Sequence, residues 1–519
     1  MTFTLPTTLP QQLIELNALS LIICVPAAIF FYSIALAIYR IWFHPLSKIP
    51  GPPLLATTDI INQWRSNIDG TFPREVSRLH KQFGPLVRVG PNRIAVDGSI
   101  GYPEVFSLKA KGLAGTFDKV RNYLFEGDYN SILGAPNELH RRLRRSLAHS
   151  FSEAAIREQE GIIEKHVNML LEQLTRKAEL VETVDIVKWM NFTFFDIIGE
   201  LTFAKSFNSL ETGEEHPYIT NFFDAILGNS YNRFLTSYPY LNIPFNMMMG
   251  RKQVLRAMNQ NVENSVFTQE LTKKRIEMGE ESKTGQRDFM SHMLKKNREG
   301  EQAMANEDIL QNSMILVGAG SETTASAMSF FFYITGTNTA QKKILQDEIR
   351  STFTEESEIN MVKCGQIGYL HACIEETLRM FPPVAETPPR VSPGANIGGE
   401  FIPSGTIIHV YPWATFRNPD NFTDPNSFRP ERWLLPTHPR YDARYAKDNL
   451  ACVKPFSHGP RDCLGKNLAY NEMRLIISRI LFRLDYELLA GQETWHNNQR
   501  AYLIWKKNPL NVRFTVRNN

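Results

Sequence analysis

Cysteine is scarce in this sequence and falls into no pattern. Five occur in 519 residues, Cys24, Cys364, Cys373, Cys452 and Cys463, an odd number without a C-x-x-C pair. That excludes a disulfide framework and a structural zinc site, and Cys364 and Cys373 read as small buried hydrophobes. An excess of one charge is lacking too. Lys and Arg total 57 against 54 Asp and Glu, and a net charge of +3 gives no basis for nucleic-acid binding. From about residue 54 onward there is no repeat, no low-complexity tract and no long polar linker, so the body reads as one large domain. With 43% hydrophobic residues and 33 Phe, it can bury a sizeable core.

Charge is absent altogether from Ala18 to Tyr39, 22 residues that can cross roughly 30 Å of hydrocarbon as a helix. A cleaved signal peptide is the competing reading, but it needs a basic leader, and Met1 to Asn17 carries only Glu15. Arg40 and Lys48 lie just after the stretch, which orients the rest of the chain toward the cytosol. The expected organisation is a short luminal N-terminus (1–17), a transmembrane anchor (18–39), a basic, proline-rich hinge (40–53) ending in IPGPP, and a catalytic domain (54–519). Two sequons, at Asn191 and Asn421, would carry glycans if that domain were luminal.

Within the domain, Pro85 to Gly98 holds two short β-type runs around Gly90-Pro91-Asn92, a hairpin signal. From there to about Met380 most of the chain is helical in period, and Arg390 to Thr415 then turns to Gly, Pro and β-branched residues, with FIPSGTIIHV reading as strand, turn, strand. The fold class is mainly α with small β-sheets, an α+β pattern. Arg233 to Gly250 is apolar and aromatic but broken by two prolines. It suits a surface dipping into a membrane, the roof of a greasy pocket, or a loop packed on the core.

The chemistry concentrates in FSHGPRDCLG, residues 456 to 465. Cys463 precedes a helical pattern whose positive end favours thiolate over thiol. Gly459 and Pro460 permit a tight turn, Gly465 removes a side chain where a flat ligand could press on the backbone, Phe456 can cover the sulfur, and Arg461 can meet an acidic group. An anionic sulfur offered to a metal in a flat, carboxylate-bearing macrocycle fits haem iron with a cysteine axial ligand.

The decapeptide matches the FxxGxRxCxG ligand loop of the cytochrome P-450 superfamily at every fixed position, and the chain resembles that family. Stretches such as FHPLSKIPGPPLLA, FFDIIGELTFAKSF and GAGSETT look most like its fungal microsomal members of secondary metabolism. The resemblance implies the cytochrome P-450 fold behind one N-terminal transmembrane helix. IEETLRMFPP and FRPERW supply Glu376, Arg379 and Arg432, which by resemblance form a buried structural lock. The helix Asn306 to Thr335 is expected to start at a capping Asn and stop at Gly336. Its Gly318 and Gly320 each cost roughly 1 kcal/mol, which suggests a bulge opening a polar niche. Ala319 to Thr323 resembles the oxygen-binding signature, with Glu322 as proton relay and Thr323 as hydrogen-bond donor to dioxygen; the bland alternative is a Thr323 hydroxyl bonded back to its own helix. Glutamate here replaces the family's more frequent aspartate.

His140 and Arg144, one helical turn apart, and Arg390 match propionate positions, His140 standing where the family usually has Trp. Arg141, Arg142, Arg145 and Lys466 read as a solvated basic face of the kind that docks an electron donor. Pocket walls are expected from Phe117 to Phe125, Phe222 to Met249, Leu316, Val317, and Val384 to Thr387. The resemblance implies a monooxygenase with haem b (iron protoporphyrin IX) and O2. It implies electrons from NADPH through a flavoprotein reductase, with cytochrome b5 as a possible second donor. The substrate would be a lipophilic small molecule, a terpenoid or polyketide, and the location the endoplasmic reticulum membrane. Two other readings stay open: a thiolate-haem enzyme that rearranges, desaturates or couples its substrate, and a membrane-tethered haem or electron carrier.

Overall fold

The apolar N-terminal stretch is helical. In the computed structural model, which describes residues 11–107, 117–121, 129–281, 285, 287–295 and 304–517, helix α1 (Gln11–Ile38) runs into a wider turn, Tyr39–Phe43. Ile23–Phe43 is long and apolar enough to cross a membrane, and none of it is buried against the body. The segment expected to be a hinge is different. Leu46 and Ile49 are buried, the Arg88 N–H donates to Pro50 O at 2.7 Å, and Arg88 Nη1 donates to Arg40 O at 2.6 Å. Residues 40–51 are thus tied to the body by a core contact and backbone hydrogen bonds, which a Pro-rich composition cannot foretell.

The helices that position the site are α2 (Asn137–Ala148), α3 (Ile186–Phe203), α4 (Pro217–Ser237), α5 (Arg251–Glu277), α6 (Asn306–Thr337), α7 (Gly368–Met380) and α8 (Lys466–Arg483). α6 is the axis. From Ser321 to Thr335 every residue but Thr323 is buried, the pattern of a helix enclosed by protein. It begins at Asn306 as expected, but its N-cap is Ala305 without a side-chain cap, and it runs through Gly336 to Thr337.

The expected bulge is absent: α6 is continuous α-helix. Its glycines serve packing instead. A Cβ on Gly318 would lie 2.5 Å from the Phe222 ring of α4, and one on Gly320 would lie 2.6 Å from Ile198 Cδ1 of α3. Close approach of two neighbouring helices is reason enough for the propensity cost of about 1 kcal/mol per glycine.

A five-stranded sheet forms the other lobe, in the order β1-β2-β5-β4-β3, from β1 (Leu86–Gly90), β2 (Arg93–Val96), β3 (Asp118–Lys119), β4 (Arg390–Val391) and β5 (Ile407–His409). β1 and β2 make the expected hairpin, Leu86 opposite Val96. The two strands of FIPSGTIIHV part company: Glu400–Ile402 pairs with Ala395–Ile397, while β5 lies parallel to β2 and antiparallel to β4. Near the C-terminus, Arg500–Tyr502 and Ile504–Lys506 form a hairpin.

The segment 233–250 is neither cavity roof nor buried loop. Phe245 anchors it against Trp64, Tyr231 and Phe234, while Tyr240, Ile243, Met247 and Met248 are 59–81% exposed. Both sequons are poor acceptors in this fold. Asn421 is buried, its amide donating to Asp97 at 3.1 Å, and Asn191 lies within α3.

Candidate active site

The FSHGPRDCLG loop folds back on itself before α8, with the Cys463 N–H donating to Phe456 O at 2.9 Å. Gly459 makes the bend. Its φ is +79°, and a Cβ there would lie 2.0 Å from Phe106 O. Gly459→Ala combines left-handed strain with a backbone clash, and is expected to cost about 1–3 kcal/mol. Thermal melting and the haem-to-protein ratio would both fall while Cys463 stays in place. Gly465 is different: its Cβ would meet nothing closer than Phe151 at 3.8 Å, which leaves an open backbone face on the cavity.

Cys463 lies deep in the body, yet its side chain is exposed, because what it faces is a cavity. Burial works against the expected thiolate here. Burial pushes the Cys463 thiol up and Asp462 reinforces it, against the Gly465 N–H, Arg144 and Lys466, which lower it. α8 begins only at Lys466, and burial is the largest of these influences on the sulfur.

The cavity, about 370 Å³, lies between this loop, α2, α6 and the C-terminal hairpin. Cations gather on one side of it. His140 and Arg144 of α2 line it together, one turn apart as predicted, with Arg390, Arg461 and Lys119. Arg144 Nη1 donates to Asp462 O at 2.6 Å and the guanidinium pairs with the Asp462 carboxylate. Arg461 donates to Ala135 O at 2.9 Å and to Asn137. Arg390 is buried over the Phe106 ring. Burial, then Arg461, pushes Arg390 down to about 9. Burial, then Arg461, Lys119, Arg144 and Arg390, pushes His140 down to about 3, so this histidine is a neutral N–H donor. Glu472 also lines the cavity, but burial pushes it up to about 8, which leaves it protonated at neutral pH and no match for the cations.

On the α6 wall, Gly318, Ala319, Gly320, Thr323 and Thr324 line the cavity. Thr323 hydroxyl donates back to Ala319 O at 2.7 Å, the bland alternative, although its side chain still borders the cavity. Glu322 points elsewhere. It is buried against Lys507, whose ammonium pairs with Oε1, and Ser326 hydroxyl donates to the same oxygen at 2.8 Å; Oε2 has no partner among the described residues. Burial raises the Glu322 pKa and Lys507 opposes the rise.

The buried lock is assembled. Arg379 grips Glu376 with two hydrogen bonds of 2.8 Å, Arg432 Nε donates to Glu376 Oε1 at 3.1 Å, and all three side chains are out of contact with water. Two partners were not foreseen. Trp433 Nε1 donates to Glu376 Oε2 at 2.9 Å, and Arg432 also pairs with Asp448. Arg379 Nη1 meets Phe416 O and Pro425 O, holding the chain that leads into the ligand loop.

A family profile described as Cytochrome P450 matches residues 50–514. The chain belongs to the cytochrome P450 family. Among curated proteins it is similar to the cytochrome P450 monooxygenase aclL of Aspergillus oryzae, 36% identical over 93% of this chain and 96% of the relative. It is also similar to the cytochrome P450 monooxygenase astJ of the same organism, at 34% over 93% and 94%. The trichothecene C-15 hydroxylase of Fusarium sporotrichioides is 32% identical over 93% and 95%.

Membership implies haem, O2 and electrons from a redox partner, and the residues of this cytochrome P450 fit the haem. Nε of Arg390 and Nη1 of Arg461 are buried donors without hydrogen-bond partners among the described residues, at a cavity where cations outnumber anions. Buried donors of that kind call for anionic acceptors such as propionates. Lys119, inside the stretch expected as wall but not expected as a cation for the site, joins them because β3 pairs with β4 and sets Lys119 opposite Arg390. The expected walls hold at Phe222, Leu316, Val384 and Thr387, whereas Val317 faces the core. Of Phe117 to Phe125, Lys119 lines the cavity, Phe117 is core and 122–125 lie outside the described residues. Asn264, Leu503 and Ile504 line the cavity unpredicted, brought there from α5 and the C-terminal hairpin.

Proposed function

We propose that this cytochrome P450 is a single-pass protein of the endoplasmic reticulum, drawing NADPH electrons through a flavoprotein reductase. It would insert one oxygen atom into a lipophilic terpenoid or polyketide-like secondary metabolite. The observation that carries the reading is the meeting of Cys463, the Arg144, Arg390 and Arg461 cluster and the Thr323 stretch of α6 on one cavity. Haem b, when bound, supplies the activation of O2 and the transfer of one oxygen atom.

The chain's part is placement. Cys463 would hold the iron, His140, Arg144, Arg390, Arg461 and Lys119 the propionates, and the open face of Gly465 the ring edge. Phe456, packed 5.1 Å from the Tyr470 ring, would cover the sulfur on the loop side. Thr323 offers a hydroxyl oxygen to the cavity, while Glu322 stands behind it, paired with Lys507. The walls of Ile132, Ile226, Leu316, Val384 and Ile504 exclude water and favour a hydrocarbon skeleton. Exposed Arg141, Arg145 and Lys466 would receive the acidic face of the reductase. The exposed Tyr240, Ile243, Met247 and Met248 would rest on the same membrane that takes up Ile23–Phe43.

Membranes holding this protein and a reductase test the reading. Adding the substrate should raise NADPH and O2 consumption together and yield a product heavier by one oxygen. Product formed without NADPH would mean a rearranging enzyme, and haem reduction without substrate-dependent consumption would mean a carrier. Either result overturns the monooxygenase reading.

A further inference from the structure

Helices α4 and α5 meet through polar side chains rather than apolar ones. Gln260, Asn264, Thr268 and Thr272 recur every fourth residue along α5, so they share one face, and all four are buried. Three of them spend their donors on protein acceptors. Gln260 Nε2 donates to Asn221 and Asp224 at 3.3 and 3.2 Å, Thr268 hydroxyl to the Tyr218 hydroxyl at 3.2 Å, and Thr272 hydroxyl to Thr268 O at 2.7 Å. Asn264 is the exception. It is 3% exposed, its Nδ2 has no hydrogen-bond partner among the described residues, and it is the member of the stripe that lines the cavity.

A buried amide donor without an acceptor is costly, and natural proteins keep such groups where a ligand completes them. The register of the stripe sets Asn264 opposite the turn between Tyr218 and Asp224, which carries Phe222. The Phe222 ring in turn rests on Gly318 of α6, also a lining residue. The amide therefore stands near the α6 wall, amid apolar side chains such as Phe222, Ala225, Ile226 and Ile315, with Asn229 of α4 the other amide on the lining.

We propose that Asn264 is the specificity-determining polar anchor of this cavity, donating its amide hydrogen bond to an acceptor oxygen on an otherwise hydrocarbon substrate. The inference rests on the functional reading above and narrows it. The substrate is a skeleton that already bears a carbonyl, lactone or ether oxygen, so the step that supplies it is itself oxygen-introducing or oxygen-retaining. A site built around a hydrogen bond rejects the analogue without the oxygen, because the amide is then left unpaired.

Nootkatone and valencene differ by one ketone, as do carvone and limonene, so these pairs isolate the anchor. Each is titrated into the haem-loaded full chain, with binding read from the haem absorption shift. The ketone of at least one pair should bind about tenfold more tightly than its hydrocarbon, the equivalent of about 1.4 kcal/mol. Asn264→Leu and Asn264→Ala should bring the pair within about twofold of parity by weakening the ketone alone. Asn264→Leu should melt no lower than wild type, since an amide held only for packing would be missed and an unpaired one would not. Equal affinity for both members of each pair, a preference that survives both variants, or no response to either ketone overturns the proposal. The carbon monoxide spectrum is recorded first: a preparation without a thiolate-haem signature counts against the reading of Cys463 rather than Asn264, so only signature-positive protein enters the titration.

Discussion

Cys463→Ala is expected to abolish the red-shifted Soret band of the reduced carbon monoxide complex and to take oxygenation below detection. The reason is positional. Cys463 is the cysteine that lines the cavity; Cys364, Cys373 and Cys452 are buried in the core, and Cys24 lies in α1. No other sulfur anion can reach the iron, so the loss should be complete rather than graded. The cation cluster is untouched by the change and can retain part of the haem, which makes the spectrum a sharper readout than haem content. Because the side chain faces the cavity and packs against little, far-UV circular dichroism should match wild type. An unchanged spectrum in folded Cys463→Ala would remove the foundation of the site.

Arg379→Ala should have the largest effect on the fold itself. It strips two hydrogen bonds and a charge from Glu376 at a place with no water, and leaves Phe416 O and Pro425 O without their shared donor. Breaking one side of a buried pair costs about 3–5 kcal/mol, because the surviving charge is stranded. Arg78→Ala is the control. Its pair with Glu75 lies at the surface, with Arg78 mostly exposed, and losing it should leave stability close to wild type. Chemical denaturation of the two variants should therefore separate by several kcal/mol.

The pH dependence of the lock has a definite sign. Burial by itself would raise the Glu376 pKa, but Arg379, with Arg432 and Trp433, holds it below the ordinary carboxylate range. A depressed folded value means that the stability is fully present above the unfolded carboxylate pKa and lost as pH falls through the folded one. The wild type should keep this contribution through mildly acidic conditions.

Features written on consecutive residues were legible from the sequence. The ligand loop occupies ten of them, the His140–Arg144 spacing is one helical turn, and the Glu376–Arg379 spacing another; local geometry alone brings each group together. Errors arose where one residue's neighbour is distant in the chain. Gly318 and Gly320 read as a bulge, yet their reason is Phe222 and Ile198, contributed by α4 and α3. Glu322 read as open to the niche, but Lys507, 185 positions away, claims its carboxylate. The strands of FIPSGTIIHV looked like partners and were drawn into separate sheets by longer-range pairing.

By itself, then, the sequence determined the family, the mainly helical class, the membrane-competent N-terminus and the loop whose cysteine lines the cavity. Those follow from residue type and short spacing. Tertiary structure alone decided that burial pushes the Cys463 thiol up, that Lys119 stands among the cations, that residues 40–51 are bound to the body, and that the Asn264 Nδ2 has no partner among the described residues. Each of these depends on desolvation or on side chains from separate elements meeting, and neither quantity is carried by any short stretch of chain.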